Sequence, residues 1–190
     1  MGELTKTTTT NTVTGRLLTP VSKPRKWILR GYRWFIKTWM KEVLEPFEVI
    51  HTRFPESLRV AQTLVKTQKK LTLEPELQSL IKWYVASANG CHFCENLSRP
   101  GVSSQKTSQI SYYSESDEFS EREKAALAYV DEVVEQGVSS EETTSRLKQL
   151  FSEREIVEIT WLNAVEHYYN MMNRPLGIGL GDTCEVEFGK

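Results

Sequence analysis

Cys91 and Cys94, in the stretch NGCHFCENLS, are the residues of this 190-residue chain whose type and spacing best fit chemistry. A Cys-x-x-C pair lets one sulfur attack a substrate while the other displaces it by closing an intramolecular disulfide. Half of a zinc site and two small apolar core fillers are the competing readings. Asn89-Gly90, directly before the pair, is well suited to a left-handed helix cap. One helix should therefore stop there, with Cys91 at the N-cap of the next and Cys94 in its first turn. Free backbone N–H groups and the helix dipole favour a thiolate at such an end, so position and spacing both point to redox chemistry. Zinc would need two more ligands, and the chain offers Cys184, His51, His92 and His167, none of them in a second close pair.

The elements that must hold these thiols read as helices, with almost no alternating strand signal. Residues 1–25 are Thr-rich, contain Pro20 and Pro24, and cannot bury enough apolar surface to fold alone, which predicts a flexible leader. In KWILRGYRWFIKTWMKEVLEPF, Lys26, Arg30, Arg33, Lys37 and Lys41 fall within roughly an 80° arc at about 100° per residue, with Trp27, Ile28, Trp34, Phe35 and Trp39 outside it. A basic amphipathic helix over 26–46, ended by Pro46, is the expectation. On the first reading it packs its aromatics on the body or on another subunit and leaves Lys and Arg in water. Adsorption to an anionic membrane surface is the second.

Further on, PESLRVAQTLVKTQKK places Leu58, Ala61, Leu64 and Val65 on one helical face. LTLEPELQSLIKWYVASANG begins with Pro75 in a first-turn position and ends at Asn89-Gly90. FSERE occurs at 119–123 and again at 151–155, and each copy is a capping box, Ser120 with Glu123 and Ser152 with Glu155, preceded by a Phe able to staple to the next turn. The first launches EREKAALAYVDEVVEQG, closed by Gly137; the second launches EREIVEITWLNAVEHYYNMMNRP, stopped by Pro175. Between them SSEETTSRLKQL predicts a shorter helix capped by Ser139 or Ser140. SRPGVSSQKTSQISYYSESDEF reads as loop with one short helix.

A chain of this length buries a self-sufficient core, so stability does not require the cysteines. Its 24 basic and 25 acidic residues leave a net charge of −1, and no global field favours nucleic acid. An odd count of three cysteines with two so close reads as a reducing compartment, hence the cytoplasm. There is no apolar run of signal-peptide or membrane-spanning length, and Lys6 stands where a myristoylation signal needs Ser or Thr. With no Gly-rich phosphate loop, no metal, flavin or nucleotide cofactor is implied.

ELQSLIKWYVASANGCHFCENLSR, followed by FSEREKAALAYVDEV and FSEREIVEITWLNAVEHYYNMMNRPLGIG, resembles the carboxymuconolactone decarboxylase-like superfamily, and within it the AhpD-like alkyl hydroperoxidase branch. The resemblance spans roughly residues 45 to 181 in order. It implies an all-α, AhpD-like helical bundle and a homo-oligomer. It also implies a Cys pair that reduces a hydroperoxide or a peroxiredoxin-type partner with electrons from a dithiol donor. By that resemblance Cys94 is the attacking thiol and Cys91 the resolving one. The family's redox members relay the proton through a Glu and a His, whose positions here hold Ser79 and Ser98, and serine does not exchange protons near neutral pH.

Other groups could supply that relay. His92, as an imidazolium, could stabilise either thiolate. Along the last helix Asn163, Glu166, His167, Asn170 and Arg174 recur at helical spacing as a narrow polar stripe. Either the stripe is a solvent-facing edge or hydrogen-bonded helix contact, or Glu166 or His167 faces the thiols as a replacement relay. Cys184 is an incidental thiol of a Gly-rich tail, or exchanges with the Cys91/Cys94 disulfide. The sequence thus predicts a leader (1–25), an amphipathic helix (26–46), an AhpD-like domain (47–181) and a tail (182–190). The predicted activity is that of a thiol-disulfide antioxidant enzyme, with a non-catalytic oligomeric binding or scaffold protein as the alternative.

Overall fold

The computed structural model describes residues 15–40 and 44–179; the expectations for residues 1–14 and for the tail, Cys184 included, lie outside the described residues. Among the described residues the secondary structure is helical throughout: α1 (Trp27–Met40), α2 (Glu56–Gln68), α3 (Pro75–Ala88), α4 (His92–Ser98), α5 (Ser104–Gln109), α6 (Glu121–Gln136), α7 (Glu141–Leu150) and α8 (Glu153–Asn173). No helix among them is long and apolar enough to cross a membrane.

The starts of α6 and α8 are set by their capping boxes. Ser120 accepts from the Glu123 N–H while the Glu123 carboxylate accepts from the Ser120 N–H, and Ser152 and Glu155 do the same. Ser140 caps α7 by accepting from the Thr143 N–H. These ends place α6, α7 and α8 around α3, whose Leu77, Ile81 and Val85 share one core with Ala126, Val130, Leu147, Ile159 and Leu162. Burying each large aliphatic side chain contributes about 2 kcal/mol. A buried carboxylate ties α8 to the chain entering α3: Glu158 Oε2 accepts from the Thr72 and Leu73 N–H groups at 2.7 and 3.1 Å. Burial opposes its charge, but Arg154 and those N–H groups outweigh burial and hold its pKa below the usual carboxylate value.

The N-terminal region departs from expectation twice. Residues 15–21, expected within a flexible leader, dock on the body: the Leu17 N–H donates to Leu176 O at 3.2 Å, and the Val21 N–H to Glu48 O at 3.1 Å. Of the predicted helix over 26–46, α1 covers Trp27–Met40; Leu44 is not helical, and Pro46, expected to end the helix, instead caps the start of the helical turn Phe47–His51. On the body α1 docks through buried Leu29, through Tyr32, whose ring lies 5.7 Å from that of Phe47, and through Arg33, paired with Glu48 at 2.7 Å. Trp27 and Trp34 are 76% and 70% exposed, with Ile28 and Phe35 beside them on the surface. A helix lying on a surface buries one arc, and here the arc of Leu29, Tyr32 and Ile36 took that place.

We expect Ser152→Ala to lower stability by about 1 kcal/mol, because the Glu155 N–H at the start of α8 loses its acceptor. Urea unfolding checks this, and a loss below a few tenths would show that the cap does not carry the helix start.

Candidate active site

The placement of the thiols begins with the end of α3. Gly90 takes φ +63°, and the chain closes a complete left-handed cap around it: the Gly90 N–H donates to Ser87 O at 3.0 Å and the Cys91 N–H to Ala86 O at 2.9 Å. Cys91 thereby becomes the N-cap of α4, and its carbonyl accepts the first helical bond, from the Glu95 N–H at 2.9 Å. Cys94 follows one turn on, and the two sulfurs are joined as a disulfide with Cα atoms 5.4 Å apart. That separation is ordinary for a disulfide, so the pair can close and open without unravelling the backbone. From the far side, Gly179 presses on α4 so closely that a Cβ there would sit 2.6 Å from the Phe93 Cβ.

Both cysteines are buried, at 2% and 3% exposure, and among the described residues Cys94, but not Cys91, lines a cavity of about 260 Å³. Its walls are mostly apolar, among them Leu44, Ile50, Val65, Phe93, Leu97 and Met172, and its polar lining comes from Glu166, Lys82, His51, Gln68, Ser98 and Asn173. Asn173 Nδ2 donates to Cys94 Sγ at 3.4 Å. The same donor would stabilise a Cys94 thiolate. Burial pushes the Glu166 carboxyl up to about 7, against the attraction of Lys82 and a hydrogen bond from Asn170 Nδ2 to Glu166 Oε1 at 2.7 Å. A carboxyl in that range gives or takes a proton at neutral pH. Lys82 is pushed below its ordinary value by burial, partly offset by Glu166, and His51 is pushed down by burial.

The residues singled out from sequence divide here. Cys94 and Glu166 line one cavity, and Cys91 is joined to Cys94 through the disulfide. His92 points into solvent, its side chain 69% exposed and its Nδ1 3.5 Å from Glu95. His167 lies outside the cavity lining and accepts at Nδ1 from Asn89 Nδ2 at 3.0 Å; burial lowers its pKa. The stripe on α8 is not a solvent-facing edge, since Asn163, Glu166 and Asn170 are buried, although Arg174 is exposed. Nor is it a fully satisfied helix contact: Asn163 Oδ1 and Asn170 Oδ1 have no hydrogen-bond partner among the described residues. Of the two serines at the relay positions, Ser98 lines the cavity, whereas Ser79 packs against Gly101, where any Cβ would collide with its Oγ.

Asn173 and Lys82 escaped the sequence reading. Asn173 continues the spacing of Asn163, Glu166 and Asn170, a signal that was present. Lys82 had a weaker one, a single cation inside the apolar run LIKWYVASA. Among the described residues no group of three or more His, Cys, Asp or Glu is arranged to hold a metal ion.

No family model and no curated protein matches the chain. Solved structures do. A protein of unknown function from Agrobacterium tumefaciens, described as a candidate antioxidant defence protein AhpD, is 27% identical over 72% of this chain and 92% of its own, with a TM-score of 0.56. An uncharacterized peroxidase-related protein from Silicibacter is 14% identical over 96% of this chain and 100% of its own, with a TM-score of 0.74. The debrominase Bmp8 is 20% identical over 90% of this chain and 98% of its own, with a TM-score of 0.69. The chain therefore has the AhpD-like, carboxymuconolactone decarboxylase-like fold.

The raised Glu166 pKa predicts a pH dependence of stability. The folded state holds this proton more tightly than the unfolded chain, so its contribution is complete below the unfolded value of about 4.5 and is lost as pH rises through about 7. Glu166→Gln should remove that loss. Relative to wild type, its unfolding free energy should improve from about pH 5 to about pH 8 by up to about 3 kcal/mol. A pH-independent difference would mean that Glu166 titrates normally.

Proposed function

We propose that the protein is a thiol-disulfide oxidoreductase of the peroxidase type, with Cys94 attacking, Cys91 resolving and Glu166 as the proton relay. The observation that carries this reading is the asymmetry of the pair: Cys91 and Cys94 are bonded to each other, and the cavity that holds the ionisable Glu166 carboxyl is lined by Cys94 and, among the described residues, not by Cys91. In the forward step the Cys94 thiolate attacks the outer oxygen of a hydroperoxide, and the O–O bond breaks. Cys94 becomes a sulfenic acid, and protonated Glu166 gives its proton to the departing alkoxide, which leaves as the alcohol. The Cys91 thiol then attacks the sulfenic sulfur, closing the disulfide and releasing water with its own proton. A dithiol donor reduces the disulfide, leaves as its own disulfide, and returns one proton to Cys91 and one to Glu166.

Several features support the arrangement. Asn173 is positioned to stabilise the attacking thiolate, and the apolar walls strengthen each charge interaction inside. With Glu166 in the cavity, the serines at positions 79 and 98 do not leave the thiol without an acid. His92 and His167 take no part in this cycle: one faces water and the other is held by Asn89. A peroxiredoxin-type protein could replace the hydroperoxide only by presenting a reactive group into the cavity. The reset step suits a reducing compartment such as the cytoplasm, and a homo-oligomer is the assembly we expect.

The test is hydroperoxide treatment of the reduced protein, followed by thiol alkylation and mass analysis. Cys91 and Cys94 should be protected together and released by a dithiol. Cys94→Ser should abolish consumption of peroxide, and Cys91→Ser should stop the cycle at the sulfenic acid. Glu166→Gln should slow the first step by about 10²-fold, most strongly below pH 7, where the wild-type acid is protonated. If both thiols stay freely alkylated after peroxide, the protein is instead a non-catalytic scaffold with this fold.

A further inference from the structure

Lys82 has no part in the thiol cycle, yet it lines the same cavity as Cys94. It rises from α3 between the buried residues Ile81 and Trp83, and among the described residues its ammonium makes no hydrogen bond and no direct ion pair. Glu166 attracts it without touching it. A half-buried cation with no contact partner is costly, and the cost is recovered when an anion meets it. The Glu166 carboxyl does not fill that role: it makes no direct ion pair with Lys82, and its own burial leaves it protonated for part of the time at neutral pH. The other ionisable groups lining the space are His51, Tyr168, Tyr169 and Cys94, and none brings a second fixed negative charge.

We propose that Lys82 anchors a small, largely apolar substrate bearing one negative charge, held so that its hydroperoxide end lies at Cys94. The inference rests on the peroxidase reading above and names its substrate class: organic hydroperoxides that also carry an acid group, rather than hydrogen peroxide or neutral alkyl hydroperoxides. Leu44, Ile50, Val65, Leu97 and Met172 take the hydrocarbon, and Lys82 takes the anion. A cavity of about 260 Å³ suits a small organic acid and leaves little room for a protein loop.

The experiment is calorimetric binding to the full-length oxidised protein, in which the disulfide prevents thiol chemistry, with sodium octanoate and octan-1-ol as the probes. Octanoate should bind at least tenfold more tightly than octan-1-ol. Lys82→Met should erase that preference while octan-1-ol still binds, and Lys82→Arg should keep it. Equal affinity of the two probes for wild type overturns the proposal, as does a preference that survives in Lys82→Met. If Lys82→Met moves only the pH profile of Cys94 alkylation in the reduced protein, Lys82 serves the thiolate and the substrate assignment falls. Because binding is measured without turnover, failure of the peroxide test with the octanoate preference intact would sink the thiol cycle alone. Loss of the preference with normal disulfide closure would sink only the anionic substrate.

Discussion

One backbone turn organises the disulfide end of the molecule. At Gly90 the chain enters the left-handed region, where a side chain would be strained, and two hydrogen bonds to the last turn of α3 lock it there. The first residue after the turn is Cys91, so the same bonds that end one helix place the first sulfur of the disulfide and start the next. Cys94 then comes round within disulfide reach after a single turn of α4. The groups around the disulfide are arranged relative to this junction: α8 brings Glu166 to the cavity and Asn173 to the Cys94 sulfur, and Gly179 closes against Phe93 from the other side.

The cavity beside Cys94 concentrates groups that a stable core would exclude. Glu166, Asn170 and Asn173 are buried on α8, Asn170 keeps an unpartnered carbonyl oxygen, and Lys82 projects from the central helix without a contact partner among the described residues. Buried polar atoms without full partners cost stability. The rest of the core offsets that cost, with Leu80, Ile81, Val85, Leu127, Ile159 and Leu162 all but completely enclosed. The low polarity that penalises Glu166 as an anion is also what brings its proton into the range where it can be exchanged at neutral pH.

The surface of α1 shows how a helical pattern leaves the docking face open. The basic arc set the aromatic remainder apart as the face to pack on the body or on another subunit. The helix has a second apolar arc, Leu29, Tyr32 and Ile36, and it was this arc that found Phe47 and its neighbours, leaving Trp27 and Trp34 in solvent. Two apolar arcs on one helix satisfy the same periodicity, and periodicity alone does not say which of them meets the body.

Local chemistry was legible from residues close together in the chain. The two FSERE capping boxes, the stop at Asn89-Gly90, Pro75 in a first turn and the Cys-x-x-C spacing each depend on groups within one helical turn, and the structure has all of them. Helix content and the order of elements followed, and so did the narrow polar stripe of α8. Which face of that stripe would be buried, and against what, required α3 and α4 to be in place. The choice of Glu166 over His167 turns on a rotation of about 100° around one helix, which only packing decides. Lys82 and Cys94 are on different helices, and nothing in either neighbourhood of the chain announces that they share a cavity. Local hydrogen bonds are written in adjacent residues, whereas burial, and the pKa values it sets, belongs to the assembled core.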